Sequence, residues 1–148
     1  MIRLLVVLLC LLFMLPVWAD AKILYTRSPS VCANNGNGMG YDCATSVGGV
    51  GAFKGTNNIL WGSVSSGDIV YICGIHVINT ASLRVTPTVS GSSGKPIIIS
   101  GDCPNDPGVL DGQNSSAGIR LVNLGSSGPI THIIVDKLVF KNVVSNND

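Results

Sequence analysis

The chain has 148 residues and a formal charge of +1, with nine basic and eight acidic side chains, so it offers no basic stripe for nucleic acid. All eight acids are Asp and none is Glu. Asp serves turns and caps whereas Glu forms helices well, so this choice, with 18 Gly, points away from a helical fold.

Met1, Ile2 and Arg3 make a minimal charged start, and an apolar run follows over residues 4–18. Val17-Trp18-Ala19 supplies small residues around a cleavage point, with Ala19-Asp20-Ala21 as a second one. The run is short for a membrane span and no stop-transfer charge cluster follows it, so residues 1–19 read as a secretory signal. The expected product is secreted, extracellular or periplasmic, with no membrane attachment after cleavage. Cys10 lies inside the run rather than at its end, which argues against lipoprotein attachment.

Four cysteines follow the signal: Cys32, Cys43, Cys73 and Cys103. An even number in an exported chain predicts two disulfides, and four cysteines allow three pairings. The favoured pairing is Cys32–Cys43, closing a local Gly/Asn-rich loop, and Cys73–Cys103, joining the ends of two strands in adjacent coils. Zinc is the rival reading, but no CxxC pair is present and both His are distant in sequence. No metal site is predicted.

Lys22-Ile23-Leu24-Tyr25-Thr26 reads as an opening strand. Asn34-Asn35-Gly36-Asn37-Gly38 looks like a calcium loop at first sight. It lacks the carboxylate spacing that ends in a bidentate Glu, so a disulfide-closed turn is the better account. Residues 56–64 predict one or two helical turns, capped by Thr56 or Asn57, that bury Ile59, Leu60 and Val64. They would form a short N-terminal cap over the first apolar layer, with Trp61 as a lid rather than a sugar platform.

From residue 67 to 142 the chain is a run of short apolar strands separated by Gly, Asp, Asn and Pro. The strands are Ile69-Val70-Tyr71-Ile72, Ser82-Leu83-Arg84-Val85, Ile97-Ile98-Ile99, Val109-Leu110, Ile119-Arg120-Leu121-Val122, Ile133-Ile134-Val135 and Leu138-Val139-Phe140. Residues 74–79 make a corner or short continuation, and residues 101–108 make a proline-fixed corner. Asn142 stands where a left-handed corner residue would stack its amide on neighbouring coils. This rhythm predicts an all-β chain, a solenoid of parallel strands, with an antiparallel sandwich as the alternative.

The segments Gly67-Asp68-Ile69-Val70-Tyr71-Ile72-Cys73-Gly74, Ser90-Gly91-Ser92-Ser93-Gly94-Lys95-Pro96-Ile97-Ile98-Ile99 and Asp106-Pro107-Gly108-Val109-Leu110-Asp111-Gly112 resemble the opening of secreted right-handed parallel β-helix proteins of the pectate-lyase-like superfamily. His132-Ile133-Ile134-Val135-Asp136-Lys137-Leu138-Val139-Phe140-Lys141-Asn142 is similar to that family's recurring coil, with Lys137 where Gly is usual. The resemblance implies a right-handed parallel β-helix, a polysaccharide partner, and lyase or glycoside hydrolase chemistry if the chain is active. It also implies calcium as the one cofactor to consider, although no residue pattern here announces one. The domain reading is a signal over 1–19, a strand, disulfide loop and cap over 20–66, and β-helix coils over 67–148. Relatives build many coils, so the chain reads as a truncated N-terminal portion, with a naturally short three-coil protein as the alternative.

Lyases of this fold use Lys, Arg or His as a base, and its hydrolases use clustered Asp. The candidates here are Asp102, Asp106, Asp111, Asp136, Lys137, Arg84, Arg120, His76 and His132. Asp68, Asp102, Asp106 and Asp111 neighbour Gly or Pro, where turn building is the ordinary role. His76 and His132 sit beside apolar residues and read as satisfied, partly buried groups. Arg84 and Arg120 lie between apolar neighbours, and strand alternation would turn both outward, onto a face where a sugar chain could lie. The expected function is binding or cleavage of an acidic polysaccharide. The other class is a non-catalytic adhesive solenoid, which would show a Ser, Thr and Asn face without clustered charge.

Overall fold

The structure is a computed structural model that describes residues 20–114 and 129–143. Secondary structure is mostly strand: β1 Ile23–Arg27, β2 Phe53–Lys54, β3 Ile69–Cys73, β4 Ile75–Val77, β5 Ile97–Ser100, β6 Val109–Asp111, β7 Ile133–Asp136 and β8 Val139–Lys141. The only other regular elements among the described residues are 3-10 turns at Thr56–Asn58, Trp61–Ser63 and Ala81–Leu83. β1, β2, β3, β5 and β7 form one sheet in the order β2-β1-β3-β5-β7, and β4, β6 and β8 form a second in that order. The chain therefore visits the two sheets alternately from β3 to β8. Every pairing of these strands is parallel, which excludes the antiparallel sandwich.

Register explains the core. Leu24, Val70, Ile99 and Val135 stand in line across the larger sheet, and His76, Leu110 and Phe140 stand in line across the smaller one. Alternation along each strand turns these rows inward, where β-branched side chains pack well. Leu24, Val70, Ile99, His76 and Leu110 are fully buried, but Val135 and Phe140 on the last strands are 39% and 49% exposed. Burying one such Leu or Ile contributes on the order of 2 kcal/mol. Phe53, Ile59, Trp61 and Val64 join the same cluster, so the segment that holds the first two 3-10 turns packs against it. Trp61 is the lid expected of it, whereas Leu60 is exposed rather than buried, and the cap residue is Gly55 rather than Thr56 or Asn57.

Both disulfides form as expected, Cys32–Cys43 and Cys73–Cys103. The loop closed by the first pairs its backbone with residues 49–52, through Gly36 N–H to Ala52 O and Gly38 N–H to Gly51 O. Asp68 builds the turn before β3 and is buried. Its carboxylate accepts the Lys22 and Ser65 backbone N–H groups at 2.9 and 2.7 Å, with the Lys22 ammonium 3.5 Å away.

Residues 82–85 are not a strand. Ala81–Leu83 is a 3-10 turn, and polar contacts shape the segment: Thr80 and Ser82 share a hydroxyl hydrogen bond, and Thr56 Oγ1 donates to Leu83 O. Local Ser and Thr bonds of this kind compete with a ladder. The expected strand over 119–122 lies outside the described residues, as do residues 1–19. Asn142 holds φ of +51° and its amide donates to Asp111 Oδ1 at 2.9 Å, one strand away, as the corner reading required. Lys137 holds φ of +50°, the left-handed state that Gly would enter without strain.

Candidate functional site

The corner that leads from the larger sheet to the smaller one is Gly74 alone after β3, and Lys137 with Leu138 after β7. After β5 it lengthens to residues 101–108, and this loop ties three strands together. Cys103 is bonded to Cys73 at the end of β3. Asp106 pairs with Arg27 of β1 at 3.6 Å, and Asp102 pairs with Lys137, after β7, at 2.6 Å. Gly108 and Gly101 allow the tight passage, because a Cβ on Gly108 would strike Ile72 O and one on Gly101 would strike Lys137 O.

Beside this loop the outer face of the larger sheet carries a tyrosine strip. Tyr25 and Tyr71 are register partners and their rings stack at 5.4 Å with 17° between planes. Tyr41, from the disulfide-closed loop, meets Tyr25 edge-on at 5.8 Å. The Arg27 guanidinium lies 4.7 Å from the Tyr41 ring centre, a cation–π contact. Continuing along the row, Tyr71 is followed by Ser100 and then Asp136. All three tyrosines are half-buried. Such a ladder stabilises neighbouring strands in any sheet. Here it also collects Arg27, Asp106, Asp102, Lys137 and Asp136 within one corner.

The Asp102 hydrogen bond keeps the Lys137 ammonium above its ordinary pKa, so Lys137 is a poor base. Hydrogen bonds from Gln113 N–H and then Asn142 hold Asp111 below the usual carboxylate range, so it stays an acceptor in its corner. His76 is not partly buried but fully so. Burial lowers its pKa to about 4 against the smaller opposing effects of the Cys73 carbonyl and Asp106. Its Nε2 lies 3.0 Å from Cys73 O, which requires Nε2–H as donor, and Nδ1 has no hydrogen-bond partner among the described residues. His132 is exposed, with φ of +55° and Nδ1 3.1 Å from Thr131 Oγ1.

Arg84 does not stand on a strand. It follows the Ala81–Leu83 turn, is half-buried, and its Nε is buried without a partner among the described residues. Arg120 lies outside the described residues. The tyrosines and Arg27 were not singled out by sequence reasoning. The available signal was alternation, with Tyr25 between Leu24 and Thr26 and Tyr71 between Val70 and Ile72.

Among the described residues no group of three or more His, Cys, Asp or Glu is placed to hold a metal ion. No helix among them is long and apolar enough to cross a membrane. No protein-family model, curated protein or solved structure matches the chain.

Proposed function

We propose that the chain is an exported right-handed parallel β-helix that binds an acidic polysaccharide along the tyrosine strip without cleaving it. The regular alternation between two parallel sheets supports the helical course, and parallel crossovers are right-handed in nearly all folds. Two disulfides and the apolar run over residues 4–18 support export.

The observation that carries the reading is the Tyr25–Tyr71 stack flanked by Arg27 and Lys137. The outer edges and hydroxyls of the half-buried rings offer contacts to the C–H and O–H groups of a sugar, and Arg27 and Lys137, each bridged to an Asp, supply N–H donors for a uronate carboxylate. Asp102, Asp106 and Asp136 remain acceptors for hydroxyl groups. Charge gathered on one corner favours this over the adhesive solenoid, which calls for a Ser, Thr and Asn face.

Affinity electrophoresis of the full chain in gels containing polygalacturonate, with a neutral glucan as reference, tests the reading. Retardation by polygalacturonate that Tyr71→Ala weakens is expected. Equal mobility in both gels would contradict it.

A further inference from the structure

The two sheets are not level at the β1 side. The larger sheet carries β1, and then β2, beyond β3, whereas the smaller sheet stops at β4. Val109 N–H donates to Gly74 O and Ile78 N–H donates to Asp111 O, so Gly74, His76 and Ile78 turn their backbone groups toward β6. Backbone groups alternate along a strand, which turns the N–H and C=O of Ile75 and Val77 the other way. No strand among the described residues lies on that side.

A cavity of about 480 Å³ adjoins this edge, lined by Ile75, His76 and Val77 together with Ser28, Thr56 and Asn57 from the segments after β1 and β2. None of its lining residues is Asp, Glu, Lys or Arg, and His76 is neutral at pH 7. Ile75 and Val77 are 55% and 36% exposed, an apolar pair two residues apart beside two donor–acceptor sets that meet no strand among the described residues.

We propose that this edge takes up an extended, uncharged peptide segment as an added strand of the smaller sheet. The spacing is that of a peptide: Ile75 and Val77 present N–H and C=O groups two residues apart, which a second extended backbone meets in register. A charged segment would have to shed its hydration against an uncharged lining. A second copy fits poorly, because placing its β8 against β4 would drive its β7 into the position that β1 fills beside β3. The peptide site lies on the smaller sheet, away from the tyrosine strip, so each reading stands or falls separately.

The test uses the disulfide-bonded full chain and a pool of short capped peptides alternating Thr and Val, read by backbone amide hydrogen exchange. Slowed exchange at Ile75 and Val77 is expected, with no change at Tyr71. Methylating the backbone nitrogens of the bonding peptide residues should abolish the effect without touching the protein. Val77→Pro removes the Val77 donor while sparing the β4–β6 ladder, and should weaken binding about tenfold or more. If Val77→Pro fails to fold, the methylated peptides decide alone. Unchanged exchange at both amides with saturating peptide would overturn the proposal. So would protection of the same amides by oligogalacturonate in place of peptide.

Discussion

Cys103 and Cys73 are bonded across 30 residues of sequence and fix the loop 101–108 against the end of β3, with Asp106 brought to Arg27 and Asp102 to Lys137 on either side. The loop thus behaves as a clasp over β1, β3 and the β7–β8 corner. Replacing both cysteines with Ala should cost about 3.7 kcal/mol by chain entropy alone, against about 2.8 for the shorter Cys32–Cys43 loop. Urea unfolding of the two double variants measures both. The Cys73–Cys103 variant should also lose the Arg27–Asp106 proximity, seen as altered Arg27 side-chain shifts.

Asp68 is a buried carboxylate whose two oxygens each accept a backbone N–H, from Lys22 and Ser65. Asp68→Ala strands both donors and the nearby ammonium, and should destabilise by about 2–3 kcal/mol. Asp68→Asn keeps one acceptor and should cost less. Denaturant midpoints order the two variants.

His76 makes stability fall with acid. Its folded pKa of about 4 lies below the ordinary value of 6.5, so the unfolded chain binds the proton first. The penalty is absent above about pH 6.5, grows as pH falls toward 4 and levels off below that, reaching about 3 kcal/mol. His76→Leu should flatten the stability profile between those limits relative to the parent chain, although it loses the Cys73 hydrogen bond at every pH. A profile of equal slope in both proteins would contradict the assignment.

Gly108 and Gly62 offer a paired test of close passage. A Cβ at Gly108 would strike the Ile72 carbonyl, whereas one at Gly62 meets nothing within 4 Å. Gly108→Ala should lower Tm by several degrees, reflecting about 2 kcal/mol or more, and Gly62→Ala should leave it within a degree or two.

The apolar strands were legible because β5 and β7 open on unbroken Ile and Val runs and β3 interrupts one only with Tyr71. The pairing of Cys73 with Cys103 was legible for a related reason, since Cys73 closes β3 and Cys103 follows the Ile run of β5 after Ser-Gly-Asp. Residues 82–85 misled because Leu83 and Val85 imitate alternation while Thr80, Ser82 and Thr56 bind locally. The tyrosine strip was hidden for a different reason. Tyr25, Tyr41 and Tyr71 are far apart in sequence, and only the register of β1 on β3 makes neighbours of two of them. Arg27 and Asp106 likewise meet only because the clasp is long enough to reach back past β3.

The most direct measurement is a titration of the full chain with oligogalacturonate, following ring resonances of Tyr25, Tyr41 and Tyr71 and side-chain resonances of Arg27 and Lys137. Saturable shifts confined to these residues, weakened by salt and by Tyr71→Ala, are the predicted result. Shifts centred elsewhere, or none at saturating sugar, would contradict the polysaccharide reading of the strip and leave the tyrosines as a cross-strand ladder alone.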